Sequence, residues 1–338
     1  MKQVWIPRIG GPEVLEVREA ATPTPGPGEV RVRVAAAGVN FADILARMGL
    51  YPDAPRLPAV VGYEVAGTVA AAGAGVTLAE GTRVLALTRF GGYSEEVIVP
   101  AGQALPIPEA LGFERAAAIP VSYLTAWLML VRLGHVAAGE TVLVHAVAGS
   151  VGQAATQICR LRGATVIGTA SAAKHERLRA MGVAHCIDYR RTDFEPEVMR
   201  LTAERGVDVV LDAVGGDSFA KSYRCLAHLG RLFMFGVSSF APRERRSIPA
   251  ALLGLVRMPW FRPIPLMNEN RGVFGVNLGH LWHRADDLAA MLREILGLVA
   301  AGQLDPLVDR AFPLVDAAQA HKYVQDRRNF GKVVLTTG

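Results

Sequence analysis

Short apolar runs broken by turn residues dominate the first 120 positions of the chain. They predict strands at 3–6, 14–17, 29–37, 65–71, 83–87 and 93–99. Turn chemistry separates these runs, as in Pro23-Thr-Pro-Gly-Pro-Gly28, Gly73-Ala-Gly75 and Gly91-Gly92. One short helix is expected over 41–48 and a helical connection over 113–127. From about 122 to 280 the pattern changes. Apolar runs at 141–145, 164–169, 186–188, 207–213, 231–236 and 273–278 alternate with helical stretches at 151–160, 175–181, 196–204 and 219–226. Such alternation implies right-handed βαβ crossovers and a parallel sheet covered by helices on both faces, and six strands allow the doubly wound order. The tail reads as a helix over 288–300, then a stretch ending in a strand at 332–336 that returns to complete the first domain. The expected division is 1–121 with 281–338 as a mainly-β domain, and 122–280 as a Rossmann domain.

The junction after the first of the alternating strands is the most informative segment. An apolar strand, Thr141 to His145, runs into a small-residue turn, Ala146 to Gly152, and then into a helix. Glycines there let the backbone approach phosphates, and the free N–H groups and dipole of the helix start attract negative charge. The segment reads Ala146-x-x-Gly149-x-x-Gly152, one residue longer and one glycine poorer than the strict dinucleotide fingerprint. Gly149, Ser150, Val151 and Gly152 are the expected backbone contacts. About 20 residues past the turn, where an acid would hold a ribose 2′-hydroxyl, stand Ala170 and Ser171, with Lys174 close behind. A hydroxyl and a cation without a carboxylate favour a 2′-phosphate, hence NADPH over NADH; Lys174 is also compatible with a solvated helix-start lysine.

Composition narrows the class. The 338 residues suffice for two domains with large cores, and 51% are apolar. The net charge is +5, yet only five residues are lysine, so dispersed arginines carry the charge. Small clusters at Arg243/Arg245/Arg246 and Arg327/Arg328 lack the interleaved aromatics of a nucleic-acid surface, so no nucleic-acid partner is expected. The three cysteines, Cys159, Cys186 and Cys225, have no metal spacing and are expected to be reduced core residues of a cytoplasmic protein. The first residues hold no apolar run of the kind a secretion signal needs, so none is expected. The most apolar irregular piece, 248–266, is interrupted by Arg257, Arg262 and prolines, so no stable membrane insertion is expected.

A set of motifs spans almost the whole length: Gly38-Val-Asn-Phe-Ala-Asp43, Gly49-Leu-Tyr51, Gly62-Tyr-Glu-Val-Ala-Gly67, Phe90-Gly-Gly-Tyr93, Ala117-Ala-Ile-Pro120, Tyr123-Leu-Thr-Ala126, Asp212-Ala-Val-Gly215 and Phe330-Gly-Lys-Val-Val-Leu335. Together they resemble the zinc-free quinone oxidoreductase branch of the medium-chain dehydrogenase/reductase superfamily. The block from Pro265 to Leu278 is similar to the sub-branch around the vesicle amine transport protein homologue. The resemblance implies a GroES-like mainly-β catalytic domain beside the doubly wound Rossmann domain, an α/β protein overall, and a homodimer through the sheet edge at 272–278. Zinc members of the superfamily carry Cys and His where this chain has Asn40 and Tyr63. Amide and phenol are poor substitutes for zinc ligands, so no metal is expected.

Hydride addition to a carbonyl or conjugated alkene builds negative charge on oxygen, which needs a donor or a proton source. The resemblance places Tyr51 and Asn40 beside the nicotinamide and substrate as catalytic candidates, although Asn is also a preferred N-cap for the helix starting at Phe41. Tyr63, Tyr123 and Thr125 are expected substrate-binding residues. For the cofactor, Tyr189 would join Ser171 and Lys174 at the 2′-phosphate. Phe235-Gly236-Val237 and Phe274-Gly275-Val276 would flank the nicotinamide, the second group by main-chain contact. Asn329 and Lys332 would reach the phosphates. The leading function is NADPH-dependent, zinc-independent hydride transfer to a small apolar quinone. One alternative is an enoyl or 2-alkenal reductase with Tyr51 as proton donor; another is a non-catalytic NADPH-binding protein with a membrane or RNA partner. The segment 240–267 departs from small quinone reductases. It is expected to be a lid or dimer-interface piece, with a membrane-touching helix as the alternative.

Overall fold

The computed structural model describes residues 1–241 and 248–338; the arginine cluster at 243–246, with the rest of 242–247 in the 240–267 segment, lies outside the described residues. Among the described residues, two units form separate cores, one of Met1–Leu124 and Leu278–Gly338, the other of the stretch between.

The first unit contains β1 (Lys2–Ile6), β2 (Glu16–Glu19), β3 (Glu29–Val39), α1 (Phe41–Arg47), β4 (Ala59–Val60), β5 (Glu64–Ala72), β6 (Arg83–Leu87), β7 (Glu96–Pro100), β8 (Ala104–Pro106) and α2 (Phe113–Ala117), then α3 (Pro120–Trp127), at which the unit boundary falls. The second contains β9 (Thr141–Val144), α4 (Ser150–Arg162), β10 (Thr165–Ala170), α5 (His175–Ala180), β11 (His185–Asp188), α6 (Phe194–Leu201), β12 (Val207–Asp212), α7 (Asp217–Arg224), β13 (Leu226–Met234), α8 (Ile248–Val256), α9 (Pro263–Glu269) and β14 (Gly272–Gly275). The chain ends in α10 (Ala285–Ala300), β15 (Val308–Pro313), α11 (Ala317–Gln325) and β16 (Lys332–Thr336), all in the first unit.

The first unit is built on a seven-stranded sheet in the order β15-β16-β3-β5-β6-β8, with β7 pairing β3, and on a small sheet β2-β1-β4. All pairs are antiparallel except β15 with β16. β3 shows why these residues form strands: Val30, Val32 and Val34 are buried while Arg31 and Arg33 point the other way, the period-2 pattern of a half-buried sheet. β16 pairs β3 with Val333 opposite Val39, which returns the C-terminal segment to the first strands as expected.

The second unit is a six-stranded parallel sheet in the order β11-β10-β9-β12-β13-β14. This is the doubly wound Rossmann arrangement, with its switch point between β9 and β12, and ligands of such sheets bind beyond the carboxyl ends of the strands. Val142, Leu143, Val144, Val209, Val210 and Leu211 are fully buried, as parallel strands covered on both faces require.

Several boundaries differ from expectation. The strand expected at 14–17 lies at Glu16–Glu19, because Pro12–Val14 forms a 3-10 turn. The strand expected from 93 starts at Glu96, and the helical connection over 113–127 breaks before Pro120. β15 and α11 are additional elements. The piece read as irregular forms two helices. Pro263 starts α9 and Asn270, left-handed at φ 52°, ends it. No described helix is long and apolar enough to cross a membrane.

Candidate active site and cofactor turn

In the first unit, the motif residues around Asn40 and Tyr63 converge on two buried carboxylates that sequence reasoning gave no role. Glu64, at the start of β5, is fully buried. One of its oxygens accepts from the Asn40 amide at 2.8 Å and from the Lys332 ammonium; the other accepts from the Val121 N–H at 2.7 Å. Lys332 Nζ also bonds Asn40 Oδ1 at 2.7 Å and Ser122 Oγ at 3.5 Å. The donor and acceptor on either side of Asn40 fix the orientation of its amide. Gly38 makes room for the carboxylate, since a Cβ there would stand 2.4 Å from Glu64 Oε1.

The second carboxylate, Asp43, is the third residue of α1. Its Oδ2 accepts from the Asn40 N–H at 2.8 Å, half of a capping box, and its Oδ1 accepts from the Gly62 N–H at 3.0 Å. A relay feeds it. Arg47 donates to His321 Nδ1 at 3.2 Å, so His321 carries its hydrogen on Nε2 and offers it to the Tyr93 oxygen at 3.1 Å. Tyr93 in turn donates to Asp43 Oδ2 at 3.2 Å. Burial pushes the Asp43 carboxyl up to about 7, against the pull of the Asn40 and Gly62 N–H groups, the Lys332 charge and the Tyr93 hydroxyl. Burial and the Arg47 charge hold His321 well below the usual imidazole range. Asp43 thus ties together the two backbone segments that carry Asn40 and Tyr63.

Tyr63 is 8% exposed, and its hydroxyl has no hydrogen-bond partner among the described residues. Tyr51 meets it edge-on at 6.1 Å between ring centroids, and Phe90 at 5.6 Å. Burial, then the Asp43 charge, raise the Tyr63 phenol far above its ordinary value, so it stays protonated and keeps a hydrogen to donate. Tyr123 and Thr125 are buried within α3.

One expectation is corrected here. Lys332 is 1% exposed and its ammonium is spent on Glu64, Asn40 and Ser122, so it does not serve as a cation for cofactor phosphates. The Asn329 amide donates to the Gly331 carbonyl at 3.0 Å in the turn before β16. Asn40 is the N-cap of α1, in a capping box with Asp43, and its amide also bonds the Glu64–Lys332 pair.

In the second unit, Gly149 is the N-cap of α4, and the first amide of the helix to find an intrahelical acceptor belongs to Gln153, bonded to Gly149 O at 2.9 Å. The N–H groups of Ser150, Val151 and Gly152 precede it and have no acceptor within the helix, the arrangement that receives an anion, with no acidic residue in the first turn. Ala146 occupies the place of the missing first glycine and adopts φ 52°. Gly152 is required by close approach, because a Cβ there would stand 2.5 Å from Val147 Cα and O. β10 and β11 pair with Ala170 opposite Asp188, which brings Ser171 and Tyr189 side by side at the carboxyl edge of the sheet, with half-buried Lys174 closing the turn after Ser171. Phe235, Gly236 and Val237 follow β13, where the Phe235 N–H bonds Asp212 O at 3.0 Å. Phe274 lies within β14 with its ring stacked on buried Phe233 at 4.9 Å, so this side chain packs the sheet; exposed Gly275 and buried Val276 follow it.

Comparisons with known proteins agree with this architecture. Residues 26–109 match the alcohol dehydrogenase GroES-like domain and residues 181–335 the zinc-binding dehydrogenase family. The human synaptic vesicle membrane protein VAT-1 homolog is 41% identical over 330 residues, covering 96% of this chain and 83% of that protein. The chain belongs to the medium-chain dehydrogenase/reductase superfamily. It fits the zinc-free quinone oxidoreductase branch of these oxidoreductases. The Escherichia coli quinone oxidoreductase complexed with NADPH has TM-score 0.88 and 31% identity, covering 99% of this chain and all of that one. The CurK enoyl reductase has TM-score 0.85 and 29% identity, covering 99% and 98%. The zinc in the second family's description does not fit these residues. Where zinc members place ligands, this chain sets an amide and a protonated phenol, with the Lys332 ammonium 2.7 Å from the amide oxygen. Among the described residues no group of three or more His, Cys, Asp or Glu could hold a metal ion.

Proposed function

We propose that this protein is an NADPH-dependent, zinc-independent oxidoreductase that reduces quinones. The unpartnered Tyr63 hydroxyl carries the reading. A buried donor without a partner costs about 1–3 kcal/mol, a penalty relieved when a ligand supplies an acceptor. Here the donor sits beside the rings of Tyr51 and Phe90, surroundings that suit a flat, apolar, conjugated acceptor with a carbonyl oxygen. The Tyr63 hydroxyl would donate to that oxygen as negative charge develops on it. NADPH, when bound, supplies the hydride. The free amides of Ser150, Val151 and Gly152 would hold its pyrophosphate, and Ser171, Lys174 and Tyr189 its 2′-phosphate. The NADPH complex of the Escherichia coli relative supports that choice of cofactor.

The proposal includes a cytoplasmic homodimer with no nucleic-acid partner. β14 is the last strand of its sheet, and the two helices just before it and their connection expose Leu252, Leu255, Val256, Trp260, Ile264 and Met267. Apolar exposure on this scale marks an interaction surface.

The test follows NADPH oxidation by absorbance with a naphthoquinone and a 2-alkenal side by side, for the wild type, Tyr63→Phe and Tyr51→Phe. Quinone turnover is expected to dominate, and Tyr63→Phe to lower its kcat/KM roughly tenfold, the value of one hydrogen bond made to developing charge. Preference for the alkenal, abolished by Tyr51→Phe, would replace this reading with an enoyl reductase. Binding of NADPH without oxidation by either acceptor would refute it.

A further inference from the structure

His145, the residue between β9 and the phosphate turn, is 3% exposed and lies in a chain of hydrogen bonds that no step above uses. The Ala146 N–H meets Thr169 Oγ1 at 3.3 Å, and Thr169 Oγ1 lies 3.1 Å from His145 Nδ1. His145 Nε2 lies 3.0 Å from Ser222 Oγ, and Ser222 donates to Asp212 Oδ2 at 2.7 Å. Asp212, fully buried, also accepts from the Ser218 hydroxyl and the Val214 N–H, both at 2.7 Å.

The direction of every bond follows from the ends. Ser222 spends its only hydrogen on the carboxylate, so it accepts from His145 Nε2–H. Neutral imidazole then has a bare Nδ1, which takes the Thr169 hydrogen, and the Thr169 oxygen is left to accept from Ala146. Burial lowers the His145 pKa, against the opposing Asp212 charge, in keeping with a neutral ring. The order also excludes a nucleophile triad. A general base must accept the serine hydrogen, whereas here the imidazole donates and the carboxylate holds the serine hydrogen.

The endpoints matter most. Ala146 is the non-glycine residue held at φ 52° where the turn begins, a left-handed conformation that side chains disfavour. At the far end, Asp212 fixes the backbone of Val214 beside Gly215. His145, Thr169 and Asp212 lie at the carboxyl ends of β9, β10 and β12, the edge at which doubly wound sheets bind dinucleotides.

We infer that Thr169, His145, Ser222 and Asp212 are positioning residues that hold the phosphate turn and the Asp212–Gly215 turn in the geometry that accepts the cofactor. The inference rests on the reading that this unit binds NADPH. Thr169 offers the cleanest perturbation, since valine keeps its shape and removes only the hydroxyl, freeing both Ala146 N–H and His145 Nδ1.

The experiment measures the Kd for NADPH of the full chain by fluorescence titration, and the KM values for NADPH and for a naphthoquinone. The proteins compared are the wild type, Thr169→Val, Thr169→Ser and Ser222→Ala. Thr169→Val is expected to raise the Kd and KM for NADPH about tenfold while the quinone KM stays within twofold, and Thr169→Ser to restore the affinity. Ser222→Ala, which cuts the chain at the other side of the imidazole, should weaken NADPH in the same direction and covers the case in which Thr169→Val does not fold. Wild-type affinity in both Thr169→Val and Ser222→Ala, or equal loss in Thr169→Ser and Thr169→Val, would overturn the inference. A wild type that does not bind NADPH would overturn the functional reading itself, and the inference with it.

Discussion

Replacing Lys332 by methionine tests whether the Glu64–Lys332 pair organises the first unit. Methionine keeps the reach of the side chain and removes the charge. In the native arrangement the ammonium meets three acceptors, Glu64, Asn40 and Ser122, and both partners of the ion pair are buried. Loss of Lys332 leaves the Glu64 carboxylate with two neutral donors, Asn40 Nδ2 and the Val121 N–H. Breaking a buried pair from one side costs about 3–5 kcal/mol, because the remaining charge is stranded in low dielectric. Removing both charges, in Glu64→Met/Lys332→Met, strands no ion; its cost is the two unpaired donors, about 1–3 kcal/mol each. Single Glu64→Met strands the ammonium as well as those donors and is the worst of the three. The double-mutant cycle is therefore expected to return a coupling of at least about 3 kcal/mol, well above the scatter of independent sites. Thermal unfolding followed by circular dichroism should show Lys332→Met lowering the Tm of the transition that reports this unit by roughly 6–20 °C, at about 2–4 °C per kcal/mol. A loss below about 1 kcal/mol in Lys332→Met, or strict additivity in the cycle, would refute the reasoning and return Lys332 to the pool of cations available to a ligand.

Two further perturbations probe the same segments. Burial raises Asp43 from 3.8 to about 7, so the folded state holds a proton that the unfolded chain has lost. Stability from this group is full below pH 4 and falls as pH rises through 7, by about 4 kcal/mol for a shift of about three units. The stability difference between wild type and Asp43→Asn should therefore drift against the wild type between pH 4 and 8 in urea titrations, and a flat difference would contradict the assigned burial. Gly152→Ala pushes a methyl group into the Val147 backbone. It should cost about 1–3 kcal/mol in stability and weaken NADPH at least tenfold, measured by unfolding and fluorescence titration; unchanged NADPH affinity would show that the turn does not approach the cofactor.

The parallel sheet was legible because its signal is local. Each β-run is followed by a helical period within reach of a crossover, and the glycine turn marks the first unit of the series. α9 carried start and stop signals as well, Pro263 and Asn270, but prolines and arginines among apolar residues read as irregular. α11 and β15 were hidden in a stretch whose buried residues Phe312, Leu314, Ala317 and Ala320 join a core built from strands far away in sequence. The carboxylate networks were illegible for the same physical reason on a larger scale. Asn40, Glu64, Val121 and Lys332 meet only after the last strand returns to the third. A lysine in a C-terminal motif looks the same whether it faces phosphate or a buried carboxylate, and only the register of β16 against β3 decides.

Satisfaction of polar groups separates Asp43, Glu64 and Asn40 from Tyr63 on the same motif segments. Asp43 and Glu64 receive every donor that points at them, and Asn40, which sequence reasoning placed at the reacting oxygen, spends both ends of its amide within that scaffold. Tyr63 sits on the same backbone segment, clamped at Gly62 by Asp43, yet its hydroxyl is left without a partner among the described residues. Leaving it unpaired between Tyr51 and Phe90 makes sense if a bound acceptor completes the set. On the proposed function, donation to substrate would fall to Tyr63, with Asn40 bonded into the Glu64–Lys332 pair on the neighbouring segment.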